Sequence, residues 1–167
     1  LAASDSYEGA STFTKCFSEV MINAYEAYER LKAKGHTFNG IPVVKIIADA
    51  KDESFEFVDP FEGIGEKEED FERIFKKKSA HQETHTDTSR SMMGRGLSDV
   101  LTRNIDYYSL VYSKRNGVQL GYRIEWATSA SNPNEPERKM QSCHNSPQEK
   151  TEIERKIPTP SGTYVKF

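Results

Sequence analysis

Residues 18–30 read SEVMINAYEAYER, the middle of a run from Thr12 to Lys34 in which Phe13, Phe17, Val20, Met21, Ala24, Ala27, Tyr28 and Leu31 recur at helical spacing. Gly35 supplies a stop. Asn23 stands at the centre of this amphipathic helix although asparagine is a poor helix former. At 100° per residue, Glu19, Asn23, Glu26 and Arg30 fall within about 40° of one direction. They are expected as one polar row, roughly opposite the apolar stripe. Such a row fits a solvated face on which a Glu26–Arg30 pair adds a few tenths of a kcal/mol. It also fits a site, because a carboxylate one turn from a carboxamide can orient a water beside a hard cation.

Composition bounds what that helix can belong to. A chain of 167 residues, 35% hydrophobic and 29% charged, suits a single soluble domain over residues 1–167. The formal net charge of -3 provides no overall basic field for nucleic acid. Cys16 and Cys143 are too few for a disulfide framework, which points to a reducing, cytoplasmic setting. No apolar run approaches the roughly 20 residues of a membrane span, and LAASDSYEGAS lacks the regions of a signal peptide. The start at Leu1 rather than Met and the end on GTYVKF lead to the expectation of a domain excised from a longer chain.

Outward from the helix, IPVVKIIADA and SFEFVD read as two pairing strands around the turn KDE. EKEEDFERIFKKK reads as a helix, acidic at its start and basic at its end. Residues 79–93 are polar and aperiodic, a long loop and a candidate lid, and GRGLSDVLTR reads as a glycine turn feeding a third helix. DYYSLVYSK and VQLGYRIEWA are strands joined by a hairpin turn at Asn116–Gly117. SASNPNEPERKMQSCHNSPQEK is expected as a surface excursion, followed by strands TEIERKI and GTYVKF. The order predicts an α+β fold with helices on one face of a mostly antiparallel sheet and the other face left wet.

Two further stretches carry candidate chemistry. VDPFEGIG, residues 58–65, ends a strand on Asp59 before Gly63 and Gly65; it is either a plain turn or a loop that lets backbone approach a ligand, with Asp59 free to accept from an exocyclic amine. MMGRGLSDV, residues 92–100, is either a helix stop followed by a new start or a phosphate cradle built on free N–H groups. His81, His85, Cys143 and His144 include zinc-ligand types at an unusual spacing and equally suit exposed loops. Lys76–Lys78 read as a solvated helix end or as phosphate contacts.

In order along the chain, E-x-x-x-N on a helix, a strand ending in D-x-x-x-G, a polar loop, G-x-G opening a helix and a last strand beginning Gly162–Thr163 resemble the GHKL ATPase superfamily. NAYEA looks like the NA-x-D-A of its gyrase, MutL and MORC branch. The resemblance implies a Bergerat fold, a two-layer α/β sandwich with a mixed, mostly antiparallel sheet. It also implies Mg²⁺-dependent ATP binding and slow hydrolysis that drive a larger machine acting on DNA or a client protein through domains beyond this chain, with nucleotide-dependent homodimerisation. It casts Glu19 as the base that orients water, Asn23 as a Mg²⁺ ligand, and Asp59 as acceptor for the adenine amine with Thr163 in support. Gly63 would lie against the base, and Gly94 and Gly96 would cradle phosphates. Pro60 and Phe61 stand where the family has asparagine and glycine. The expectation is a re-routed loop with Phe61 outward or under the lid and Asp59 still facing the pocket. The alternative implied by that altered loop is a non-catalytic nucleotide-sensing or interaction module.

Overall fold

A computed structural model describes residues 2–75, 108–128 and 136–167. The loop at 79–93, the Gly94 and Gly96 turn with its helix, the Lys76–Lys78 run, His81 and His85 lie outside the described residues. In chain order the elements are α1 (Ala2–Ala33), β1 (Lys45–Asp49), β2 (Ser54–Asp59), α2 (Glu68–Phe75), β3 (Ser109–Arg115), β4 (Val118–Thr128), β5 (Pro136–Ser142), α3 (Pro147–Lys156) and β6 (Gly162–Lys166). The fold is α+β. Its six-stranded sheet runs β1-β2-β6-β3-β4-β5, and every pairing among the described residues is antiparallel. No helix among the described residues is long and apolar enough to cross a membrane.

Local signals account for most of these boundaries. α1 stops where expected: Gly35 takes φ 78°, its N–H donates to the Lys32 carbonyl, and the His36 N–H reaches back to Leu31. That pair of bonds is the glycine-terminated cap that satisfies the last helical carbonyls. Asn116 and Gly117, at φ 49° and 79°, turn β3 into β4 as their dipeptide predicts.

Side chains alternate across a strand, so the register assigns each face. Phe57, Val165, Val111 and Tyr122 are successive cross-sheet partners on one face. α1 covers this row with Val20, Ala24 and Ala27, and α2 with Phe71 and Ile74; the Phe71 and Tyr122 rings lie 4.6 Å apart. Each large apolar side chain so buried contributes about 1.5–3 kcal/mol relative to exposure.

The opposite face corrects the expectation of a wet surface. TEIERKI is not a strand: it belongs to α3, whose fully buried Ile153 packs, with Ile157 just beyond the helix end, on the stacked Tyr112 and Tyr164 rings. Lys114 anchors the helix by donating to Glu154 Oε2 at 2.6 Å and to the Ile157 carbonyl at 3.1 Å. Helices therefore cover part of both faces. The missing strand is supplied instead by β5, inside the stretch expected as a surface excursion, because the long β4 presents a free edge to pair with.

Candidate functional site

Asn23 and Arg30 on α1 open onto one cavity with Asp59 at the end of β2, Gly63 and Ile64 in the following loop, and Thr163 on β6. Val20, Ala27, Phe57, Ile74 and Val165 make the rest of its wall apolar. A mostly apolar recess with a few convergent polar groups is the usual form of a small-molecule site. The polar row of α1 is therefore not opposite the apolar stripe. Asn23 and Arg30 border it, while the outward face carries Ile22 and Tyr25, 44% and 63% exposed.

Sheet register brings Asp59 and Thr163 together, since they are direct cross-strand partners and such pairs hold Cβ atoms within about 5.5 Å. Asp59 is buried, and its carboxylate accepts hydrogen bonds from the Phe61 N–H at 3.0 Å and from the hydroxyl and N–H of Thr163. Burial pushes its pKa up to about 6, against the opposing pull of those bonds and of the Arg30 charge. A carboxylate has about four lone-pair positions, so three donors leave room for another.

The loop after Asp59 is shaped by close approach. Gly63 takes φ 73°, and a Cβ there would meet the Lys114 carbonyl oxygen at 2.5 Å and Ser113 Oγ at 2.9 Å. The next residue is tied down, Ile64 N–H donating to Ser113 Oγ at 2.9 Å. Gly162 is equally constrained, because a Cβ on it would collide with the Asp59 carbonyl oxygen.

The loop expected to cover Phe61 lies outside the described residues, and Phe61 does not turn outward. It packs inward, 4% exposed, with its ring 5.7 Å from Tyr28 and 6.0 Å from Phe38. It is not among the residues with positive φ, so it carries no strain of that kind. Pro60 has no N–H, which leaves the Phe61 N–H as the donor that closes on Asp59. Asp59 still lines the cavity, as that reading required.

Sequence reasoning missed Glu62. Almost buried, it accepts from Arg30 Nε at 2.9 Å and Lys34 Nζ at 2.5 Å, with Arg115 at 3.7 Å. Burial would raise its carboxyl, but the hydrogen bonds from Lys34 and Arg30 outweigh burial and hold it below the usual range. The expected Glu26–Arg30 pair is present only at 4.0 Å. Partners 28 to 53 residues distant leave no local signal.

Glu19 lies half-exposed on α1, one turn before Asn23, and does not line the cavity. Asn23 offers a single carboxamide oxygen. That fits a Mg²⁺ which takes its remaining ligands from phosphates and water, as this ion usually does. No group of three or more His, Cys, Asp or Glu able to hold a metal occurs among the described residues. Cys143 is half-buried with its thiol pushed up to about 11 by burial, and His144 Nδ1 is engaged with the Gly121 backbone.

No protein-family profile matches the sequence, and no curated protein matches it. Among solved structures the chain is similar to the ATPase region of Saccharomyces cerevisiae topoisomerase II, with 18% identity, a TM-score of 0.49, and coverage of 92% of this chain and 36% of that one. It is similar also to that region bound to ICRF-187 (dexrazoxane), with 17% identity, a TM-score of 0.48 and the same coverage. The chain thus spans 36% of the length of these solved chains.

Proposed function

We propose that this chain binds ATP with Mg²⁺ and hydrolyses it slowly, as the nucleotide-binding part of a larger intracellular ATPase. The observation that carries the reading is Asp59: a buried carboxylate with a lone pair to spare, on the wall of an otherwise apolar cavity. With a pKa of about 6 it is largely ionised at pH 7 and accepts a proton-bearing nitrogen. An adenine amine fits that acceptor, and Thr163 orients it. The carbonyl that guanine carries at the same position would face a carboxylate oxygen and be repelled.

Gly63 lets the loop lie flat against the base. Asn23 would hold Mg²⁺, which when bound neutralises phosphate charge. Gly94 and Gly96 supply phosphate contacts, and Glu19 orients the attacking water. Dimerisation on binding nucleotide, and action on DNA or a client protein, belong to the same proposal.

Calorimetry with ATP, GTP and Mg²⁺ tests it. ATP is expected to bind with Mg²⁺ at least tenfold more tightly than GTP, and no heat for ATP at millimolar concentration refutes the reading. A second reading, binding without turnover, is favoured by one observation: Glu19 does not line the cavity. Phosphate release separates the two. Glu19→Ala is expected to abolish hydrolysis and keep binding, whereas a parent chain that binds ATP and releases no phosphate supports the non-catalytic module.

A further inference from the structure

β1 is an edge strand, with β2 on one side and, among the described residues, no strand on the other. All of Lys45–Asp49 is exposed, and Ile41 and Val43 just before it are 90% and 69% exposed. A regular edge presents a row of N–H and C=O groups open to another strand. Protected edges are kept very short or carry a bulge, a proline, inward charges or charged side chains such as lysine; β1 is short, and its charges, Lys45 and Asp49, are of opposite sign. β1 has no bulge, since its register with β2 is continuous from Lys45↔Val58 to Asp49↔Ser54, and Pro42 lies before it.

The order of residues in KIIAD determines what completes this edge. Antiparallel pairing with the same strand of a second copy, centred on Ile47, sets Lys45 opposite Asp49 twice and Ile46 opposite Ala48 twice. Alternation then puts Lys45, Ile47 and Asp49 on one face, where two opposite-charge pairs flank an Ile47–Ile47 contact. The other face is apolar throughout. Parallel self-pairing in register would instead oppose lysine to lysine and aspartate to aspartate, which is unfavourable. Asp49 Oδ1 accepts from the Lys51 and Asp52 N–H groups, which leaves Oδ2 for a lysine.

We propose that two copies of this chain associate through β1 about a twofold axis, joining their sheets into one continuous antiparallel sheet. The contact is self-complementary, as a twofold interface must be, and it needs no nucleotide. The strand is short, so the interface is small and the association weak, populated at about 100 µM and lost on dilution to about 1 µM.

Sedimentation velocity of the 167-residue chain without nucleotide, from about 1 to 500 µM, tests this. The parent is expected to pass from monomer to dimer. Lys45→Asp and Ile47→Lys, both at exposed positions, are each expected to remain monomeric across the range. Lys45→Asp mixed with Asp49→Lys is expected to dimerise, because each charge again meets its opposite. A parent that stays monomeric throughout, or a folded Lys45→Asp that dimerises like the parent, overturns the proposal. If Asp49→Lys disturbs the turn at 50–53, the Lys45→Asp and Ile47→Lys results decide by themselves.

Discussion

Replacing Asp59 by Asn isolates the ionisation of the site. In the folded chain burial raises this carboxyl from 3.8 to about 6. The protonated acid is therefore favoured by folding, and the stability it contributes is lost as pH rises from about 4 through 6. At about 1.4 kcal/mol for each tenfold, a gap of about two pH units amounts to about 3 kcal/mol withheld from the native state above pH 7. Asparagine keeps the shape, and its carbonyl still accepts from the Phe61 N–H, but it has no charge to bury. Asp59→Asn is thus expected to match the parent within about 1 kcal/mol near pH 4 and to exceed it by about 3 kcal/mol at pH 7.5, or roughly 6–12 °C in Tm for a chain of this size. Urea unfolding of both proteins at pH 4.5, 5.5, 6.5 and 7.5 reads the difference. Nucleotide affinity should move the other way, weakening in the parent as pH falls through 6 because the ionised acceptor disappears. Parallel stability curves for the two proteins across this range would refute the account of Asp59 as a buried, strained acceptor.

Phe61→Ala removes a core ring from between Tyr28 and Phe38 and is expected to cost about 3–5 kcal/mol by urea unfolding, a loss that a solvent-facing residue would not show. Gly63→Ala places a Cβ against the Lys114 carbonyl at φ 73°, so a destabilisation of about 1–3 kcal/mol with at least tenfold weaker ATP binding should appear in unfolding and calorimetry. Asn23→Ala should lose Mg²⁺-dependent ATP binding with little change in Tm, since Asn23 borders the cavity and is only half-buried. Ser146→Ala deletes the α3 cap, where Ser146 Oγ accepts from the Glu149 N–H, and is expected to cost about 1 kcal/mol in thermal unfolding.

The elements that were legible in the sequence are those fixed by neighbours a few residues apart. The stop of α1 at Gly35, the Asn116–Gly117 hairpin, the β1–β2 pair and the last strand each depend on turn chemistry or short-range periodicity. Of the seven candidate residues, Gly94 and Gly96 lie outside the described residues, and of the other five Asn23, Asp59, Gly63 and Thr163 line one cavity while Glu19 does not. α3 was legible too and was misread: Ser146, Pro147 and Glu149 spell a capping box with proline at the first turn, and Ile153 and Ile157 are four apart, a helical spacing.

The remainder was decided by tertiary structure. β5 has few strand formers and exists because the free edge of β4 lends it hydrogen-bond partners. Phe61 turns inward because Tyr28 and Phe38, brought from distant parts of the chain, leave an apolar space that only folding creates. Arg30 turns from its helical neighbour Glu26, left at 4.0 Å, to Glu62 for a related reason: a carboxylate nearly out of water, 32 residues away, must be paired. Local propensities act over a turn or two of chain, whereas burial and charge pairing act through space. The residue types of the cavity could therefore be read from the sequence, while its assembly, the ionisation of Asp59 and the pairing of Arg30 with Glu62 follow only from the packed fold.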